Sequence, residues 1–404
     1  MKYINKILTI EKVNFQKIAN KFGTPFYSYS YSKLKENIYN FKKNFKTFSP
    51  LICFAVKSNT NVNIIKEIKN LGLGADVVSV GELMMALKAG INPNKIVFSG
   101  VGKTSDEINF AIKNKIFLIN AESLSEIKEI NRIAKSKNRK VKIGVRLNPN
   151  TDAKTLSQIS TGKKENKFGV NKKTLYEIID YCKNSNNIDL KCLSVHIGSQ
   201  ILNHEPYEKM LKVLDKILNK TDHKFKFLDL GGGMGIAYSD KNKKLNYKKY
   251  NNAILKFLKN HKVKIIFEPG RSIIGNTGIL ITKVIYIKDS YRKKFIILDA
   301  AMNDLMRPAL YGAVHKTLPV IKRNKISKKT YEFVGPICES TDKFTTINNF
   351  QELKEKDLIA ICDVGAYGMS LSSNYNLRPK SVELLIKGSK VNVIRKRQKH
   401  KDLI

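Results

Sequence analysis

The chain has 404 residues, 42% of them hydrophobic, and a formal net charge of +40, yet no apolar run reaches the roughly 18 residues of a membrane span. Lysine is spread over nearly every helix-patterned stretch, which reads against a dedicated nucleic-acid face; only Arg395, Lys396, Arg397, Lys399, His400 and Lys401 form a dense run. The five cysteines, Cys53, Cys182, Cys192, Cys338 and Cys362, lack metal-ligand spacing and fit a reducing cytoplasm better than a disulfide framework. At the N-terminus the apolar run Ile7 to Ile10 is cut by Glu11, so the reading is a chain that is not exported.

In chain order, PFYSYS (25–30) reads as a strand. Short apolar runs then alternate with amphipathic stretches. The strand candidates are LICFAV (51–56), ADVVSV (75–80), KIVF (95–98), FLIN (117–120), VKIGVRL (141–147), KCLSVHI (191–197), FKFLDL (225–230) and VKIIFE (263–268). Helical patterns at 61–71 and 81–90 run into Gly72 and Gly90, residues that stop helices. Eight strands with intervening helices predict a (β/α)8 barrel over 31–275, with a doubly wound sheet as the rival architecture. Beyond Arg271 the helical period fades into strand-like runs such as 278–287 and 294–300. Residues 276–404 therefore read as a mainly β domain, completed by the N-terminal segment 1–30.

In such a barrel, function belongs at the C-terminal ends of the strands, with phosphate held after the seventh and eighth. Chemistry-bearing residues fall at those ends: Lys57, His196 with Ser199, Gly231, Gly232 and Gly233, then Glu268, Pro269, Gly270 and Arg271. Lys57 reads either as a desolvated amine able to attack an aldehyde or as a lysine snorkelling from a strand end. The glycine triplet either exposes backbone N–H groups to a phosphate or makes a tight turn. Glu268 would pair with a protonated ring nitrogen or with Arg271, and His196 would stack on a flat ring or fill the core. Further along, Arg307 and Tyr311 lie four apart, GPICESTD places Cys338 beside Glu339, and the segment 365–376 around Tyr367 suits a ligand-lining loop.

Taken together, CFAVKSN, HIGSQ, GGG, EPGR, MRPALYGA, GPICESTD and GAYGMS, in this order, resemble the diaminopimelate decarboxylases over nearly the whole chain. The wider alanine-racemase-like and ornithine-decarboxylase-like barrels share Lys57, His196, the glycines and Glu268. The resemblance implies that pyridoxal 5'-phosphate is held covalently by Lys57 and that His196 stacks on its ring. Ser199, Gly231, Gly232, Gly233, Glu268, Pro269, Gly270 and Arg271 would surround phosphate and ring. It implies Cys338 as the proton donor. Arg271, Arg307 and Tyr311 would lie on the substrate's distal carboxylate, Glu339 on its distal ammonium, and Tyr367 on both cofactor and substrate. No metal is implied. Cys338 and Glu339 would act in a neighbouring subunit of a homodimer, and the product would be L-lysine, from the final step of its synthesis. Departures from the family pattern include VGEL (80–83) for GGEL, Leu156 for a histidine, and Val314 for an aromatic. Other readings are a decarboxylase of the same fold acting on another basic amino acid or carboxylated polyamine, an amino-acid racemase, or a non-enzymatic relative.

Overall fold

The structure is a computed structural model that describes residues 1–153, 155, 161–162, 165–239, 242 and 244–404; Leu156 lies outside the described residues. Two compact units are present: Ile38–Ala237 with Lys243–Ile273, and Met1–Asn37 with Tyr238–Asn242 and Ile274–Ile404.

The first unit is a closed barrel of eight parallel strands, Leu51–Ala55, Gly74–Val77, Ile96–Phe98, Leu118–Ala121, Val141–Arg146, Ile188–Ser194, Phe227–Asp229 and Lys264–Phe267. Neighbours in sequence are neighbours around the barrel, and the last strand pairs with the first through Ile266↔Leu51 and Phe267↔Ile52. All eight strands fall where the apolar runs predicted, within a few residues at each end. One level of the barrel interior is filled by Cys53, Val97, Leu118, Cys192 and Ile266.

Helix ends in this unit follow local chemistry. Helix Val62–Asn70 starts under the side chain of Asn61, which accepts from the Asn63 N–H, and ends at Gly72 (φ 88°). There the Gly72 and Leu73 N–H groups return to the Lys69 and Ile68 carbonyls, so the predicted stop is a Schellman turn that needs a left-handed residue. Ser79, Ser123, Asn171 and Asn246 cap four further helices by the same acceptor role. Thr104 and Glu107 form a reciprocal capping box at helix Ser105–Lys113.

The second unit is built on a nine-stranded sheet. The N-terminal strand Phe26–Ser30 lies between Gly278–Asp289, antiparallel, and Val382–Lys387, parallel. The sequence therefore placed that strand in the right domain. Its core gathers Phe26, Ile279, Ile281, Leu358, Ala360, Val382, Leu384 and Ile386, with Leu8, Ile10, Phe15 and Ile18 from the N-terminus. Those last four belong to elements the sequence reading did not identify: a small antiparallel sheet (Lys2–Ile4, Ile7–Ile10, Val13–Asn14) and helix Phe15–Phe22. The basic run at the C-terminus is partly structural. Arg395 pairs with buried Glu383, and Arg397 donates to the Phe22 and Pro25 carbonyls. Among the described residues no helix is long and apolar enough to cross a membrane.

Replacing Thr104 by alanine removes the acceptor for the Glu107 N–H and should cost about 1 kcal/mol. Urea denaturation should show a lower midpoint with an unchanged slope; an unchanged midpoint would contradict the capping role.

Candidate active site

The barrel strands end in a layer of polar side chains. Lys57, in the turn after the first strand, places Nζ 2.8 Å from Asp76 Oδ2; the lysine side chain is 38% exposed and the aspartate wholly buried. The lysine amine is thus held by a buried carboxylate. Glu268, past the end of the eighth strand, accepts from Ser99 Oγ at 3.2 Å and shares a hydrogen bond with Asp229. Asn120 Nδ2 donates to Asp229 Oδ2 at 2.9 Å and to Ser99 Oγ at 3.3 Å, closing the ring of contacts. Glu268, Asp229, Asp76 and Asn120 are all buried.

Three buried carboxyl groups against the one amine of Lys57 leave an excess of negative charge that burial penalises. Burial, then the neighbouring Asp229 and Asp76, hold the Glu268 carboxyl protonated well above the usual glutamate range. Burial raises Asp229 to about 6. A cation beside Glu268 would relieve the same excess, and a protonated ring nitrogen is such a cation.

His196 follows the sixth strand. Gly232 N–H points at its Nδ1 at 3.1 Å, and since a backbone N–H only donates, the ring is the neutral tautomer with its proton on Nε2. Burial, then Arg146 and Lys57, push its pKa well below the usual value, in agreement. A Cβ on Gly232 would stand 2.2 Å from the Glu268 carbonyl oxygen, so the turn admits no side chain there. Gly231 donates to Asp229 Oδ1, and the Gly231 carbonyl accepts from the Glu268 N–H. Pro269 accepts from the Ala55 N–H, and Gly270 packs on Ser58, tying the eighth strand's end to the first. Arg271 is buried and donates to Ser199 Oγ at 3.0 Å, so two residues proposed for an anion meet each other, and Glu268 turns instead to Ser99 and Asp229. All the predicted barrel residues gather at one end of the barrel. A lysine amine, a neutral imidazole face, a protonated acid, a side-chain-free glycine turn and an arginine suit a phosphorylated aromatic aldehyde.

The second unit holds the remaining predicted residues. Arg307 and Tyr311 open and close the one-turn helix Arg307–Tyr311; Arg307 is buried and Tyr311 half-buried. Cys338 and Glu339 are exposed, Cys338 accepting from Asn376 Nδ2 and Glu339 from the Tyr375 hydroxyl. Tyr367 has φ 57°, a costly backbone for a bulky residue and one often kept for a functional reason. Asp76, Ser99, Asn120, Arg146 and Asp229 were missed as site residues. Their signal was present: each is a polar residue in or beside a strand that otherwise reads as apolar.

This fold and this site define a pyridoxal-dependent decarboxylase: the model of that family's pyridoxal binding domain matches residues 31–275. Over 393 residues the chain is 44% identical to a diaminopimelate decarboxylase of Helicobacter pylori, covering 96% of this chain and 97% of that one. It is 41% identical to the diaminopimelate decarboxylase of Aquifex aeolicus over 404 residues, covering 99% and 95% of the two chains. A solved Helicobacter pylori diaminopimelate decarboxylase in complex with L-lysine superimposes with a TM-score of 0.92 at 43% identity, covering 96% of this chain and 98% of that one. The chain belongs to the diaminopimelate decarboxylase family.

The charge excess makes a testable claim about stability. Folded Glu268 keeps a proton that an unfolded glutamate loses above its ordinary range, so the folded state binds more protons and stability falls as pH rises. In cofactor-free protein, Glu268→Gln should flatten the decline in the free energy of urea unfolding between pH 5 and pH 8, by at most about 1.4 kcal/mol per pH unit. Equal slopes in both proteins would contradict the assignment.

Proposed function

We propose that this protein decarboxylates meso-2,6-diaminopimelate to L-lysine and CO2, with pyridoxal 5'-phosphate attached at Lys57, as a cytoplasmic homodimer. The observation that carries the reading is the gathering of Lys57, His196, Glu268, Arg271 and the glycine turn at one end of a barrel whose relatives are named for this reaction.

Pyridoxal phosphate supplies, when bound, an electron sink for the pair left behind as CO2 departs. The chain's own groups do the rest. Asp76 is placed to hold the Lys57 amine at the first strand's end whenever that amine is free. Glu268, which burial and then the surrounding acids keep in the proton-bearing form, would hold a proton at the ring nitrogen, with Asp229 hydrogen-bonded to it. His196 is neutral and so presents a flat face without adding a competing charge. Ser199, Arg271, the Gly231–Gly233 turn and the Pro269–Gly270 segment bind the phosphate side.

In the second unit Arg307, with Tyr311, binds the carboxylate at the substrate's non-reacting end. Glu339 takes the ammonium beside it, Tyr367 contacts cofactor and substrate, and Cys338 Sγ–H returns a proton to the carbon that lost CO2. The exposure of Cys338 and Glu339 on the subunit suits residues that serve a partner's site. A guanidinium at the distal end favours a substrate with a second carboxylate over ornithine or lysine, whose distal ends are cationic.

The purified holoenzyme should release CO2 from meso-diaminopimelate and form L-lysine. Lys57→Ala should abolish the visible absorption of bound cofactor and lower turnover by at least about 10³-fold, within the range for loss of a nucleophile or base. Turnover by wild type of L-lysine in preference to diaminopimelate would overturn the substrate assignment. Cys338→Ala should keep the cofactor spectrum while lowering kcat about 10²-fold; full activity would remove Cys338 from the proton-donor role.

A further inference from the structure

The segment that begins with Arg307 closes on itself. Helix Arg307–Tyr311 ends at Gly312 (φ 61°), and the chain turns back so that His315 meets Arg307. His315 is buried, 3% exposed. Its Nδ1 lies 2.9 Å from the Cys362 carbonyl oxygen and its Nε2 lies 2.9 Å from Arg307 Nη1. A carbonyl only accepts and a guanidinium only donates, so both neighbours dictate the same answer. Nδ1 carries the proton, Nε2 carries a lone pair, and the ring is neutral in a single tautomer.

The anchor beneath His315 is rigid. The Cys362 N–H donates to the Lys316 carbonyl, and strand Thr317–Pro319 pairs antiparallel with Leu358–Cys362. On another side the Arg307 guanidinium carbon lies 4.6 Å from the centre of the Tyr238 ring, and Tyr238 meets the His315 ring edge-on at 5.3 Å. Imidazole and phenol together fix the plane of a side chain that is otherwise rich in rotamers, so its fork is set before any carboxylate arrives.

We propose that His315 is a positioning residue that acts through Arg307 to set the enzyme's affinity for the distal carboxylate of its substrate. The proposal rests on the reading of Arg307 as the ligand of that carboxylate. His315 itself touches neither substrate nor cofactor in this account. Its role is to accept one guanidinium N–H and so fix the orientation of the fork.

The two functions of the imidazole can be separated by substitution. His315→Gln can place an oxygen near the Nε2 position and restore the acceptor for Arg307. His315→Asn can keep an N–H for the Cys362 carbonyl but withdraws the acceptor. With holoenzyme of unchanged cofactor absorption, His315→Asn should raise KM for meso-diaminopimelate about 10-fold while kcat changes less than about threefold, and His315→Gln should recover most of the affinity. Inhibition by L-lysine, which retains the distal carboxylate, should weaken in His315→Asn, whereas inhibition by 1,5-diaminopentane, which lacks it, should not. In an Arg307→Ala background the Asn substitution should add nothing.

Equal behaviour of the Asn and Gln variants, or an additive effect without Arg307, would assign His315 a merely structural part and overturn the proposal. Failure of wild type to decarboxylate diaminopimelate would overturn this proposal and the functional reading together, whereas wild-type turnover with unchanged KM in His315→Asn overturns this one alone. A check free of mutation is the ¹⁵N spectrum of histidine-labelled holoenzyme: one of the six histidines should be neutral with its proton on Nδ1, and a proton on Nε2 of His315 would contradict the assignment.

Discussion

Asp76, Asp229 and Glu268 are buried together at the mouth of the barrel, and the structure sets one amine, that of Lys57, against them. Water would dissipate this charge, but all three acids are buried, so the imbalance is met by a retained proton or by a bound cation. Much of the site's arrangement follows from that constraint. Lys57 is drawn to Asp76, Glu268 keeps a proton, and Asn120 with Ser99 braces the acids against one another. A cationic ring nitrogen beside Glu268 would complete the balance, so these electrostatics favour such a cofactor.

The barrel makes this affordable because its rigidity comes from elsewhere. Parallel strands in unbroken order, an apolar level inside them and well-capped helices outside supply the stability that an acidic mouth gives back. The glycine turn after the seventh strand is a second consequence of crowding. Gly232 lies so close to the Glu268 carbonyl that a methyl group has no place, and its N–H is spent on fixing the His196 tautomer. Two residues singled out for a cofactor thus also position each other.

Much of this was legible in the sequence. The eight apolar runs gave the strands because parallel barrel strands are buried on both faces and read as continuous hydrophobic stretches. Lys57, His196, Glu268 and Arg271 stood out because polar groups directly after such runs are costly and need a reason. Asp76, Asn120 and Asp229 did not stand out, since a single polar residue inside GADV, LINA or FLD looks like a flaw in a strand until the barrel closes and sets them face to face. The N-terminal sheet was missed for a different cause. Its strands are two to four residues long, too short for any period to register, and they are stabilised by a core supplied largely from residues beyond 278. His315 lay in a quoted motif, but only the return of the chain at Gly312 reveals its partner.

Of the chain's many lysine amines, that of Lys57 alone is proposed to carry the cofactor. Borohydride reduction of the holoenzyme fixes the cofactor to whichever lysine holds it, and proteolysis with mass spectrometry reads the position. This account requires the pyridoxyl mass on the peptide containing Lys57, in one copy per chain. The same mass on a different lysine, or none on Lys57 in catalytically active protein, would contradict it.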